Sequence, residues 1–220
     1  MSVHLEKEIR RLKSRILELS AIVEESVYLA VKAAQERDAE SAEKISASDR
    51  RVDIMEVEIE EECLKALALY QPMAIDLRVV VAILKINSDL ERIGDLAVNI
   101  AHRARSLAAL DPKENISLDY EGMEDKVRKM LRDSLQSLIN LDGELAHKVL
   151  VADEEVDEIN RKVYLKATEM LKANPDKSGT LLMRINVARN LERIADHATN
   201  IAEDVIYMIE GSIVRHGLRI

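Results

Sequence analysis

The chain has 220 residues, of which 47% are apolar and 33% are charged; this is enough apolar side chain for a core and excludes a disordered chain. Its formal net charge of −9 disfavours nucleic-acid binding, in which lysine and arginine neutralise phosphates. Phe and Trp are absent, and with only six Gly and three Pro the composition favours helices over a β-sandwich or β-barrel.

Three features of the sequence bear on the compartment. Cys63 is the only cysteine, so no intrachain disulfide can form, which fits a reducing compartment. The amino-terminal residues contain no apolar run of the kind found in a signal peptide. The longest strongly apolar run, 79–84, is far shorter than the roughly 20 residues that a membrane-spanning helix needs. We therefore expect a soluble, cytoplasmic protein.

The first half of the chain predicts three long helices. The first runs to about residue 35, because its apolar residues recur at alternating spacings of four and three. The second covers about 39–70 and ends at Gln71-Pro72, since proline cannot continue a helix. The third covers about 75–109. The apolar residues of the first helix are Leu5, Ile9, Leu12, Ile16, Leu19 and Val23.

The second half repeats this plan after a polar, proline-containing connector at 110–117. Helices are predicted at about 119–141, 144–173 and 180–210. Breaks are expected at Asp142-Gly143 and at Asn174-Pro175, and Gly211 is expected to end the last helix. The predicted fold is all-α: two tandem three-helix bundles, residues 1–110 and 117–220, packed end to end or side by side.

An internal repeat supports the two-bundle interpretation. The segment 89–101, DLERIGDLAVNIA, recurs at 190–202 as NLERIADHATNIA, with nine of thirteen positions identical. Repetition of this kind indicates two copies of one helical unit. Whatever the shared polar residues do is therefore expected to happen twice.

The shared polar residues form an acidic constellation in each copy. Glu91, Asp95 and Asn99 stand four apart and so lie on one face of their helix, opposite its apolar face. A second acidic pair, Asp49 and Asp53, is also four residues apart and lies near the start of the preceding helix. In an antiparallel hairpin of the two helices, this pair comes to a similar height as Glu91 and Asp95. Four carboxylates could therefore converge in each half. The candidate metal ligands are Asp49, Asp53, Glu91, Asp95 and Asn99, and in the second copy Asp153, Asp157, Glu192, Asp196 and Asn200.

Clustered carboxylates need a physical reason, because like charges at this spacing destabilise a helix by a few tenths of a kcal/mol. A bound cation would reverse the sign of that contribution. Asp, Glu and Asn oxygens suit magnesium, manganese, calcium or iron, and His197 could add a nitrogen that favours iron or zinc in the second half only. The simpler alternative is a pair of solvated acidic faces with no metal.

Other chemistry has weaker support in the sequence. A metal-dependent phosphohydrolase is an alternative, since two metals on clustered acids could activate water, but the carboxylates are expected on a convex face without a pocket. Glu144-Leu-Ala-His147 is a Glu-x-x-His motif, of which a ferritin-like di-iron site needs two. Arg92 and Arg193 are expected to form surface ion pairs, and Cys63 is expected in the core.

The duplicated acidic motifs and the Leu-Glu-Arg-Ile-x-Asp-x-x-x-Asn-Ile-Ala segment resemble the PhoU family across essentially the whole chain. The resemblance implies two three-helix bundles that each bind metal, iron or zinc, on an outer face through these motifs. It implies a non-catalytic regulator that restrains phosphate uptake and the phosphate-starvation response. The implied partners are the ATPase subunit of a phosphate ABC transporter and a sensor histidine kinase. Dimers, and a position at the cytoplasmic side of the inner membrane through these partners, are also implied.

Overall fold

The computed structural model describes residues 3–111, 113, 115–120, 122–212, 214–215 and 218–219, the last two segments by their backbone only. Both outer ends of the predicted bundles and parts of the predicted connector lie outside the described residues. Six helices confirm the all-α prediction: α1 Val3–Glu36, α2 Ala39–Tyr70, α3 Ile75–Ala108, α4 Met123–Asn140, α5 Gly143–Ala173 and α6 Ser178–Glu210. No helix among the described residues is long and apolar enough to cross a membrane.

Capping residues at the predicted breaks explain why the helices start and stop there. The Asp38 carboxylate accepts hydrogen bonds from the backbone N–H groups of Glu40 and Ser41, which caps the start of α2. Asp142 caps α5 in the same way through the N–H of Leu145. Gly211 ends α6 with a φ of 75°, a left-handed conformation that glycine adopts at little cost. Beyond it, Val214–Arg215 and Leu218–Arg219 pair as a short antiparallel hairpin.

The start of α4 differs from the prediction of a helix from about residue 119. The helix begins at Met123, after Gly122 with a φ of 76°. The preceding segment is held by its side chains instead, because Leu118 and Tyr120 are buried. The Tyr120 hydroxyl donates a hydrogen bond of 3.2 Å to the backbone carbonyl of Arg184 on α6. The burial of these two side chains therefore keeps residues 118–120 out of the helix, although the sequence pattern favours a helix there.

The two bundles lie side by side and share one core. Helices α1, α2 and α3 pack together, as do α4, α5 and α6, and α3 also packs against α6. Buried apolar residues of both halves form a single continuous cluster. The predicted apolar face of α1 is buried along its whole length. Cys63 also lies in this core, as predicted, and burial raises the pKa of its thiol to about 12.

The contacts between α3 and α6 show that these two helices run antiparallel. Asp89 of α3 accepts a hydrogen bond from Asn200 of α6, and Lys85, one turn earlier on α3, pairs with Asp204, one turn later on α6. Leu96, two turns after Asp89 on the same side of α3, is buried. Since α3 and α6 carry the repeated segment and are equivalent helices, their antiparallel contact relates the two repeats by a local twofold axis that passes between them.

Gly94 marks a close approach of α2 and α3. A Cβ added there would lie 3.3 Å from Cγ1 of Val52, so the valine would have to move by a few tenths of an ångström. The second repeat carries Ala195 and Val156 at the equivalent positions, both fully buried. We expect Gly94→Ala to raise the free energy of unfolding by about 0.5 kcal/mol, because alanine gains up to about 1 kcal/mol over glycine in a helix. Urea unfolding followed by circular dichroism measures this, with Gly94→Leu as the over-packed contrast, expected to lose about 2 kcal/mol.

Candidate metal centres

The first acidic groove lies between α2 and α3. Asp49 and Asp53 belong to α2, and Glu91 and Asp95 belong to α3. Burial raises the pKa of Asp49, and the negative charges of Asp53 and Asp95 raise it further. Burial likewise raises the pKa of Glu91, followed by Asp95 and, more weakly, Asp53. Carboxylates of both helices therefore repel one another across the groove, as the hairpin geometry predicts.

Positive side chains offset part of this repulsion. Arg92 places Nε 3.4 Å from Oε2 of Glu91 and Nη1 3.6 Å from Oδ2 of Asp95, which confirms the predicted surface ion pair. His102 lies close enough to Asp49 to act against the rise in its pKa. Asn99 is exposed at the end of the stripe. The first groove is therefore acidic but partly neutralised by the chain itself.

The second acidic groove, between α5 and α6, repeats the arrangement. Burial raises the pKa of Asp153 to about 6, helped by the charges of Asp196 and Asp157 and opposed by a hydrogen bond with Thr199. Burial also raises the pKa of Glu192, with Asp157 as the largest charge contribution. The pKa of Asp196 rises by burial, then through Glu192 and Asp157. All four carboxylates of the second copy thus share one groove.

His197 and Asn200 are engaged at the boundary between the two halves. Nδ1 of His197 lies 2.7 Å from Oδ1 of Asp89, and Nδ2 of Asn200 donates to the same oxygen at 3.1 Å. This contact engages only Nδ1 of His197, and His197 also lies close enough to Asp196 to act on its pKa, so a nitrogen ligand from His197 to the second site stays a prediction. The hydrogen bond of Asn200 to Asp89 uses Nδ2, so Oδ1 of Asn200 could still act as a metal ligand.

Replacing Asp89 with alanine is expected to lower the free energy of unfolding by about 1 kcal/mol, since the half-buried His197 and the exposed Asn200 lose the oxygen that they share. Thermal or urea denaturation in the presence of a chelator measures the loss. Asp89→Asn keeps an acceptor oxygen and is expected to recover part of it. A stability of Asp89→Ala equal to that of the wild type would show that His197 and Asn200 gain nothing from this contact.

The side chains of the two acidic grooves suit a hard or borderline cation, since they offer carboxylate and amide oxygens and several negative charges close together. As the side chains stand, no three His, Cys, Asp or Glu side chains of the described residues are gathered tightly enough to hold an ion. Binding would therefore require rotation of carboxylates that already share a groove. The assignment of the ten residues as ligands stays a prediction.

Two groups in the first groove were missed in the sequence. Asn87 stands one turn before Glu91 on the same stripe, yet it is buried, and its Nδ2 donates to the backbone carbonyl of Glu56 at 2.8 Å. Its Oδ1 has no hydrogen-bond partner among the described residues. The pKa of Glu56 is raised by burial and by Glu60 and Asp53. The spacing of four, continued backwards from Glu91, is the signal that would have found Asn87.

The second groove continues into a cavity, contrary to the expected convex face without a pocket. A volume of about 380 Å³ lies between α5 and α6, with Glu192 at its edge. Tyr164 and Leu182 form exposed apolar parts of its wall, and Asn160 and Arg189 add polar groups. The face departs from the prediction because helix packing leaves a groove wherever the facing side chains are short or turn outward.

Comparison with known proteins places this architecture in a family. The family model described as the PhoU domain matches residues 16–104 and 120–205. A phosphate-specific transport system accessory protein PhoU homolog from Aquifex aeolicus is 39% identical and covers 96% of this chain and 95% of its own. The similarly named protein of Pseudomonas putida is 36% identical over 98% of this chain and 84% of its own.

Solved structures show the same fold. The crystal structure of PhoU from Pseudomonas aeruginosa aligns with a TM-score of 0.89 at 34% identity, covering 94% of this chain and 99% of that one. The phosphate transport system regulatory protein PhoU from Streptococcus pneumoniae aligns with a TM-score of 0.85 at 27% identity, covering 96% and 99%. With both repeats matched and relatives above 30% identity along nearly the full chain, this protein belongs to the PhoU family.

Proposed function

We propose that this protein is a negative regulator of phosphate uptake and of the phosphate-starvation response. It acts as a non-catalytic, metal-binding adaptor between the ATPase subunit of a phosphate ABC transporter and a sensor histidine kinase. The single observation that carries the transport role is the match, over nearly the whole of both chains, to relatives named as accessory proteins of phosphate-specific transport. Long helical faces offer docking surface for such partners. A homodimer and a place at the cytoplasmic side of the inner membrane stay predictions.

The duplicated acidic grooves support the metal-binding part of the proposal. In each half, carboxylates of two helices raise one another's pKa, so the metal-free grooves carry a repulsion that a cation would relieve. Asp49, Asp53, Glu91 and Asp95 would hold the ion in the first groove, with their counterparts in the second. Iron, zinc, manganese and magnesium are the candidate ions. Bound metal would neutralise the grooves and order the surface that meets a partner.

Elemental analysis of the purified protein, compared with an Asp95→Ala and Asp196→Ala double variant, tests the metal part. The wild type is expected to retain metal and the double variant to lose most of it. Asp125→Ala with Asp176→Ala removes two exposed acids outside the grooves and is the matched control. Equal metal content in all three proteins, or none in any, would contradict the assignment.

Binding of the purified protein to a phosphate-transporter ATPase subunit and to a phosphate-response histidine kinase tests the adaptor part. Folded protein that binds neither would contradict it. Metal-loaded protein should also be assayed on simple phosphate esters. Turnover that disappears in Asp95→Ala would favour the hydrolase over the adaptor.

A further inference from the structure

The cavity beside the second acidic groove has the size and lining of a small-molecule site. Its volume of about 380 Å³ falls within the range of about 300–1,000 Å³ that ligand pockets in proteins occupy. Tyr164 of α5 and Leu182 of α6 supply apolar wall, and both side chains are more than half exposed, so a ligand can reach them from solvent. Such a wall suits an organic molecule better than an ion alone.

Three polar side chains that line the cavity have hydrogen-bonding groups to spare. Asn186 donates from Nδ2 to the backbone carbonyl of Leu182 at 2.9 Å, which leaves its Oδ1 as an acceptor. The side-chain amide of Asn160 makes no hydrogen bond to any residue that the structure describes. The exposed Arg189 forms no ion pair with the described part of the chain. Two amides and a guanidinium are thus available to a ligand.

The first repeat lacks this combination, so the fold of the repeated unit does not require it. The equivalent residues are Asn87 for Ala188, Ser88 for Arg189 and Glu60 for Tyr164. The Asn87 side chain is buried and reaches across to α2, where it donates to the backbone carbonyl of Glu56. Ala188 has no side chain long enough to take that space between α5 and α6. The cavity and its arginine are therefore features of the second repeat in particular.

The end of the cavity nearest the acidic groove suits a phosphate group. Glu192 belongs to both the groove and the cavity, and Arg189 acts against the rise in its pKa that burial and Asp157 cause. A guanidinium matches the oxygens of phosphate, and magnesium is usually held by one or two carboxylates together with phosphates of the ligand. Phosphate oxygens would complete a coordination shell for which no three acidic, His or Cys side chains of the described residues are gathered.

We propose that the cavity between α5 and α6 binds a nucleoside phosphate. The base lies against Tyr164 and Leu182, since an aromatic face stacks on any base. The amides of Asn160 and Asn186 meet the edge of the base, and an asparagine amide matches the edge of adenine. The phosphates meet Arg189 and a cation in the second groove. The inference rests on the proposed function for this cation only.

Isothermal titration calorimetry of the full chain with ADP, and separately with inorganic phosphate, tests the proposal. In the presence of magnesium, ADP is expected to bind at least about tenfold more tightly than inorganic phosphate, because only ADP uses the apolar wall. A chelator is expected to weaken the binding of ADP, because Glu192 and Asp157 then repel its phosphates. No binding of ADP at millimolar concentration, or equal affinities for ADP and inorganic phosphate, would overturn the proposal.

Two exposed residues of the cavity test where ADP binds. Arg189→Ala should weaken ADP about tenfold, since a charged hydrogen-bond donor is lost. Tyr164→Ala should weaken it about fivefold or more through the loss of stacking. The matched controls are Arg10→Ala on α1 and Leu165→Ala, which changes a residue that is 65% exposed on α5 outside the cavity. Affinities for ADP that are unchanged in both cavity variants, with circular dichroism showing that each is folded, would place ADP elsewhere and overturn the proposal.

The metal content of the same preparations separates this inference from the proposed function. A wild type that retains metal but does not bind ADP overturns the inference and leaves the metal-binding proposal intact. A wild type that binds ADP and loses it in Tyr164→Ala, but retains no metal, supports the cavity as the site and contradicts the metal assignment instead.

Discussion

Replacing Leu90 with alanine is expected to lower the free energy of unfolding by about 3 kcal/mol. Leu90 is fully buried near the middle of α3, the helix that packs against α1, α2 and α6. Removal of its side chain leaves a cavity in the core that both bundles share, and such cavities cost about 2–5 kcal/mol. Urea denaturation, followed by far-ultraviolet circular dichroism as a measure of helix content, gives the free energy of unfolding.

Leu69→Ala is the matched control for this change. Leu69 is 74% exposed at the end of α2, so the same chemical change should alter stability by no more than about 0.5 kcal/mol. We also expect one unfolding transition for the wild type, because the two halves share one core. Equal losses for Leu90→Ala and Leu69→Ala would mean that α3 is not packed as described.

Asp153→Asn is expected to stabilise the metal-free protein above pH 6 and to have no effect near pH 3.5. Folding raises the pKa of Asp153 from 3.8 to about 6, so the ionised carboxylate is less favourable in the folded state than in the unfolded one. The penalty is absent below pH 3.8, grows as the pH rises to about 6, and is complete above that. With solvent screening in this half-buried groove, we expect a gain of about 1 kcal/mol at pH 7.5.

Excess manganese should reverse the order of the two proteins. The wild type would then gain more stability from the bound ion, because the neutral amide oxygen of asparagine binds a cation more weakly than a carboxylate does. Melting temperatures at pH 3.5 and 7.5, with chelator and with manganese, measure both effects, and Glu169→Gln, which changes an exposed acid on α5 about four turns beyond Asp153, serves as control. An Asp153→Asn protein that is less stable than the wild type at pH 7.5 in chelator would contradict the repulsion argument.

Periodicity and breakers were sufficient to predict the helices. The alternating apolar spacing in α1 and the residues Gln71-Pro72, Asp142 and Gly211 placed most helix ends within one or two residues. The start of α4 was misplaced because Tyr120 is held by a distant backbone carbonyl, and no local pattern contains that information. This contact depends on how α6 packs in the folded protein, which the sequence around Tyr120 does not contain.

The sequence was sufficient to predict which carboxylates line each acidic groove, but not how buried they are or which other residues they contact. A spacing of four on two helices of a hairpin is enough to bring Asp53 near Glu91. It does not tell how deeply each carboxylate is buried, which sets the rise in pKa of Asp153. Nor does it reveal that His197 meets Asp89, because a sequence repeat gives no information on how its two copies are placed against each other.

The antiparallel contact of α3 with α6 also has a bearing on how the chain arose. One repeat on its own would expose the buried side of α3 that carries Leu96, and this surface would have to be covered. Two identical repeats, related by a twofold axis, would cover it with each other. The present chain has the geometry that results when the gene for such a self-pairing unit is duplicated and fused, after which each copy could diverge, as leucine at position 96 and histidine at the equivalent position 197 illustrate.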